Sequence, residues 1–181
     1  MITKIAQVCL HNEYHVECWR ESGDSTYLAW TADIVNTVPD LGANDLLNKY
    51  LAGSSYTAAI YIGLVTNTGF TSFQTSDTAA KISTTANPPT TNSWAESNVY
   101  SNGTRPAFSP AAASGRAVTN SSSPAAFNIN NSDTLYGCFL VTSNVIGGTS
   151  GILFGEGAFT QGTRTTVSGD TISVTVSVSV L

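Results

Sequence analysis

The stretch Thr171-Ile172-Ser173-Val174-Thr175-Val176-Ser177-Val178-Ser179-Val180-Leu181 decides the fold class. Ile172, Val174, Val176, Val178 and Val180 fall on one side of an extended chain, and Ser173, Thr175, Ser177 and Ser179 on the other. Strict period-2 alternation in a segment dominated by β-branched residues is the pattern of a half-buried strand. At about 3.3 Å per residue the stretch reaches roughly 36 Å, the width of a small domain. A strand of that length requires paired neighbours and a second layer over its valine face. The expected fold is therefore mainly β, an antiparallel, jelly-roll-like β-sandwich.

The preceding sequence offers those neighbours. Ala58–Thr66, Arg105–Ser109, Arg116–Asn120, Ala125–Asn130, Thr134–Ser143 and Gly151–Thr160 are strand candidates separated by Gly, Asn or Pro turns. With the last stretch they make seven strands, enough for two facing sheets. Pro39 introduces one short helix, with Asp40 or Asn44 to cap it, Leu46, Leu47, Tyr50 and Leu51 as its apolar stripe, and Gly53 to stop it. Residues 39–181 form the expected sandwich domain. A long Thr/Ser/Asn-rich loop at about 67–102 interrupts it, with one helical turn near Asp77–Ile82 and Trp94 as its large anchor.

Residues 1–38 read as a separate N-terminal β-meander, or arm. Lys4–His11 and Tyr14–Arg20 are strand-like, with Asn12-Glu13 available as a turn between them. Glu21–Ser25 makes a second turn, and Tyr27–Asn36 a third strand in which Leu28, Trp30, Ala32 and Ile34 share a face. So much aromatic area in so small a piece must pack on the main body or on a partner. Trp19, Tyr27 and Trp30, together with Trp94, are the candidate partner-binding residues.

Composition narrows the function. Charged residues are 10% of the chain, against about a quarter in ordinary globular chains. They thin from ten in residues 1–60 to six in residues 101–181. A net charge of −5 with seven scattered basic residues offers no phosphate-tracking surface, so no nucleic-acid partner is expected. No stretch approaches the ~18 apolar residues of a membrane helix, and Met1-Ile2-Thr3-Lys4 does not lead into a signal peptide. Three cysteines suit a reducing cytoplasm better than a disulfide framework.

Motifs for chemistry are weak. Cys9, His11, His15 and Cys18 lie close together, but their order lacks the Cys-x2-Cys knuckle of zinc sites. A turn at Asn12-Glu13 would put Cys9, His11 and Cys18 on one face and His15 on the other, so no metal site is expected. Cys138 sits in the apolar run Tyr136–Val141 with no histidine near it, the setting of an inert thiol. Gly148-Thr149-Ser150-Gly151 fails the spacing of a serine nucleophile elbow. Asp133 and Asp170 follow turn-like strings, whereas Glu156, between two glycines, is the best single acid to watch. A glycan-cleaving enzyme would need a second acid facing it. Trp94, Tyr100 and Phe108 are the rings from which a sugar-binding platform could be built. No catalytic set and no cofactor are expected.

Several strings resemble those of small structural proteins of tailed bacteriophages, often encoded beside the major capsid protein. They include Gly42-x-Asn44-Asp45-Leu46-Leu47-x-Lys49-Tyr50-Leu51, Tyr100-Ser101-Asn102-Gly103-Thr104-Arg105-Pro106-Ala107, Gly147-Gly148-Thr149-Ser150-Gly151-x-Leu153 and Ser168-Gly169-Asp170-Thr171-Ile172-x-Val174-Thr175. The likeness runs over residues 29 to 175, and the order of the strings carries it. The resemblance implies a head decoration (cement) protein: a homo-oligomer that binds the major capsid protein on the virion surface, has no catalytic residues and is assembled in the host cytoplasm. The N-terminal arm or the long loop is then expected to reach the shell, with the sandwich facing outward. A tail-fibre or baseplate module binding host-surface glycan is the alternative.

Overall fold

The computed structural model describes residues 10–52, 59–66, 73–83 and 94–180. In chain order the elements are β1 (Leu10–Ser22), β2 (Ser25–Val35), α1 (Asp40–Tyr50), β3 (Ile60–Thr66), β4 (Ile82–Ser83), β5 (Trp94–Glu96) and β6 (Ala107–Phe108), then β7 (Ala117–Thr119), β8 (Ala125–Asn128), β9 (Asp133–Val141), β10 (Leu153–Ala158), β11 (Arg164–Thr166) and β12 (Thr171–Val180). A single 3-10 turn, Ala79–Lys81, precedes β4. One sheet has the order β2-β1-β12-β7, with β8 also paired to β12. The other runs β10-β9-β3-β5-β4, with β11 on β9 and β6 on β3. All pairings are antiparallel except β4 with β5.

The two sheets form a β-sandwich. β12 turns Ile172, Val174 and Val176 inward, where they are fully buried among Ile62 and Leu64 of β3, Leu135 and Leu140 of β9, and Phe127 of β8. A second apolar cluster lies on the opposite face of the β3–β9–β10 sheet. There Trp94, Ala79 and Ile82 cover Val65, Phe139, Val141 and Leu153. The described parts of the long loop thus act as a strap across the outside of that sheet. Alternating residues of β9 enter different clusters, Cys138 and Leu140 the inner one and Phe139 and Val141 the outer, because successive side chains point to opposite faces.

Residues 10–35 do not stand apart as an arm. β1 runs unbroken between β2 and β12 and pairs with β12 from Leu10↔Val180 to Trp19↔Thr171. Its Tyr14, Val16 and Cys18 join the main core. The expected turn at Asn12-Glu13 is absent. Asn12 is a buried strand residue opposite Val178, and it fits because Gly155 approaches without a side chain: a Cβ there would lie 2.6 Å from Asn12 Nδ2 and 2.7 Å from Tyr14 Oη. The hairpin turns instead at Gly23-Asp24, inside the second expected turn. A bulge places Cys18 opposite Trp30 but Trp19 opposite Leu28, so Leu28 leaves the face of Ala32 and Ile34 and is exposed. Most of the expected strand Lys4–His11, and Gly53, lie outside the described residues.

Helix α1 forms where Pro39 and the following sequence predict it, without a side-chain cap at its start. It lies against β10 through Gly42, where a Cβ would stand 2.8 Å from Phe154 Cα and 2.9 Å from the Leu153 carbonyl. Only glycine permits that approach of helix to strand.

Candidate functional site

Most of the acids are engaged in holding the fold. Glu96 and Arg105 form a fully buried bidentate pair, with Arg105 Nε 2.7 Å from Glu96 Oε1 and Nη2 2.8 Å from Oε2. Arg105 also donates to the carbonyls of Ser143 and Gly148, and its guanidinium lies 5.1 Å from the centre of the Phe139 ring. The Gly147 N–H donates to the same glutamate. Every strong donor and acceptor of the pair is therefore met, as burial demands. Asp170 accepts two bonds from Arg20, one from the Val167 N–H and one from the Cys18 thiol. Burial alone would raise its carboxyl; these donors together hold it below the usual carboxylate range. Burial, with Asp170 beside it, pushes the Cys18 thiol up to about 12. Asp133 opens β9 and accepts from the Ser97 and Thr66 hydroxyls as well as the Thr134 N–H, so it ties distant segments together where its sequence suggested a local turn role.

Glu156 does meet a second acid. Its carboxyl faces that of Asp77, from the strap, within hydrogen-bonding reach. Burial, reinforced by the neighbouring Asp77 charge, pushes Glu156 up to about 9. The two residues are 0% and 1% exposed, and neither lines the cavity beside α1 or the one beside Glu13, His15 and Asp33.

His11 and His15 turn out to share the exposed face of β1, since the strand is continuous there, whereas Cys18 points into the core. His15 Nδ1 lies 2.7 Å from Asp33 Oδ1, and His11 Nε2 3.2 Å from Glu13 Oε1. Cys9 lies outside the described residues. Among the described residues no group of three or more His, Cys, Asp or Glu is placed to hold a metal ion. Cys138 is buried, and burial raises its thiol. No helix among the described residues is long and apolar enough to cross a membrane.

The expected contact aromatics scatter. Trp94 is a core residue, fully buried against Phe139 at 4.9 Å and Phe73 at 5.8 Å, so it offers nothing to a partner. It is buried because the strap folds back over the sheet. Trp30 is half-buried, donating to the Thr165 carbonyl and resting on Phe159. Trp19 is half-buried and donates to Glu17, and Tyr27 is exposed. Tyr100 and Phe108 lie in the main core and Trp94 in the outer one, so the three rings form no common platform for a sugar.

The surface that sequence reading missed is on α1. At 100° per residue, Leu46, Tyr50, Leu47 and Leu51 form one arc and Asp45 and Lys49 another. A surface helix normally turns its apolar arc to the core. Here the order is reversed. Leu47, Tyr50 and Leu51 are 52%, 86% and 79% exposed, while the Asp45 and Lys49 side chains, 3.8 Å apart, are only 21% and 16% exposed. Beside the helix opens a cavity of about 460 Å³, lined by Leu46, Tyr50, Ile60, Phe108, Phe154 and Val178 among others. The outward apolar side chains thus lie next to an apolar groove. No known protein family, curated protein or solved structure matches the chain.

Proposed function

We propose that this chain is a structural virion protein, a decoration subunit that sits on the outside of a tailed-bacteriophage head and strengthens its capsomer junctions by non-covalent contact. The observation that carries the reading is the reversed α1, whose apolar arc and adjoining groove are the docking surface for the major capsid protein. The ordered likeness of residues 29 to 175 to small phage structural proteins supports the same reading. So does the low charge of the chain, which leaves broad Ser/Thr surfaces able to lie against neighbours. Symmetric repetition over a shell multiplies a modest affinity at each site. The role expected of residues 1–38 passes to α1, because β1 and β2 are built into the sandwich.

The test is the double substitution Leu47→Asp with Tyr50→Asp. Covering each side chain is worth about 2 kcal/mol, so losing both weakens each contact roughly a thousandfold. Neither side chain supports the core, so the melting temperature should hold within a few degrees. Co-sedimentation with heads from the genome that encodes the chain should fall to background. Unchanged occupancy would remove α1 from the interface.

A further inference from the structure

Glu156 reaches the outer side of β10 beneath the strap, residues 73–83. Among the described residues neither of its carboxyl oxygens nor Asp77 Oδ1 has a hydrogen-bond partner and all three atoms are buried; the Gln74 backbone and Lys81 favour the Glu156 charge, but less than burial opposes it. Asp77 is otherwise provided for by its own loop. The Gln74 N–H donates to Oδ2 at 3.1 Å, and Lys81 Nζ stands 3.6 Å from Oδ1. Two facing buried carboxyls cannot both carry a charge, and burial with the Asp77 carboxyl beside it pushes Glu156 up, so the proton they share resides on Glu156 and is donated to Asp77.

The other elements around β10 bring no competing cation to the pair. From the strap come Asp77 and Lys81. β1 brings Tyr14, and β9 brings Cys138, both buried in the core between the sheets. α1 brings Asp45 and Lys49, paired with each other, and Asp40, whose N–H donates to the Thr75 carbonyl of the strap. β2 brings Asp33, paired with His15.

We propose that the proton shared by Glu156 and Asp77 is a latch that holds the strap against the outer face of the sheet, and that its loss in alkaline solution lifts the strap and uncovers Trp94. The step is a simple deprotonation: hydroxide takes the proton from Glu156, leaving two buried carboxylates with Lys81 Nζ 3.6 Å from Asp77 Oδ1. Like charges so placed repel, and the strap is the side able to move, because its own described strand pairing is the two-residue ladder of β4 with β5.

Two readouts follow the strap directly. In a Trp19→Phe/Trp30→Phe background, the emission and acrylamide quenching of Trp94 report its exposure. In the unaltered chain, trypsin cleavage after Lys81, scored by mass spectrometry against a reference peptide, reports the strap itself. Both signals should rise several-fold between pH 7 and 10 with a midpoint near 9, and circular dichroism should show the sandwich intact. In Glu156→Gln, whose amide donates to Asp77 at any pH, both should stay flat; Asp77→Asn, which removes the like charge, should behave the same way. An unaltered chain that stays closed to pH 10, or a Glu156→Gln variant that opens with the same midpoint, overturns the latch.

Discussion

Glu156 and Arg105 show how differently a buried charge can be handled. Arg105 is matched bond for bond by Glu96 and two carbonyls, so that pair stays ionised inside the protein. Glu156 forms no ion pair among the described residues and, pushed up by burial, stays neutral by keeping a proton. The sign of its effect on stability follows. The folded group titrates near 9 against an ordinary 4.5, so between those values the folded chain holds more protons than the unfolded one. The Glu156 contribution to stability is therefore full in acid below about 4.5, is lost progressively as pH rises, and is gone above about 9. Thermal melts of Glu156→Gln and the unaltered chain should coincide near pH 4 and diverge in favour of the variant at pH 8. Equal melting temperatures at pH 8 would mean that Glu156 is not carrying a buried proton. Sequence marked Glu156 as unusual through its flanking glycines, but nothing in the string points to Asp77, far away in the chain and brought close only by the strap. The Glu96–Arg105 pair was equally hidden, since the partners lie in unrelated, polar-looking text and neither has a motif around it.

At the scale of elements, legibility followed periodicity. β12 alternates without a fault and was readable to within a residue; the helix after Pro39 was readable as an element, though neither Asp40 nor Asn44 caps it and it ends at Tyr50, short of Gly53. β1 alternates just as well, yet Asn12-Glu13 looks like a turn. The approach of Gly155 from the other sheet leaves the room that a buried asparagine takes there. That misreading created an arm where the molecule has an inner strand. The direction in which α1 turns its leucines was also unreadable, because a wheel gives the arc and not the side on which the body lies. A consequence belongs to this scale. Deleting residues 1–38 should not leave a folded sandwich, because β12 loses the partner to which it is paired over Leu10–Trp19, and the core loses Tyr14, Val16 and Cys18. The truncated chain should lack a cooperative melt and bind a hydrophobic dye; a sharp transition in it would restore the arm.

For the whole molecule, the sandwich is covered on its second sheet by the strap, and α1 holds an apolar arc outward beside a groove. Low charge over the β-rich half suits close apposition to other proteins, and the internal ion pairs consume much of what charge there is. The account rests on that outward helix being covered in the assembled particle. Cryo-electron microscopy of virions from the encoding genome examines this most directly. The account predicts density for the sandwich on the outer surface of the head, with Leu47, Tyr50 and Leu51 of α1 against the major capsid protein. Heads without that density, or a bound sandwich with α1 facing solvent, would contradict it.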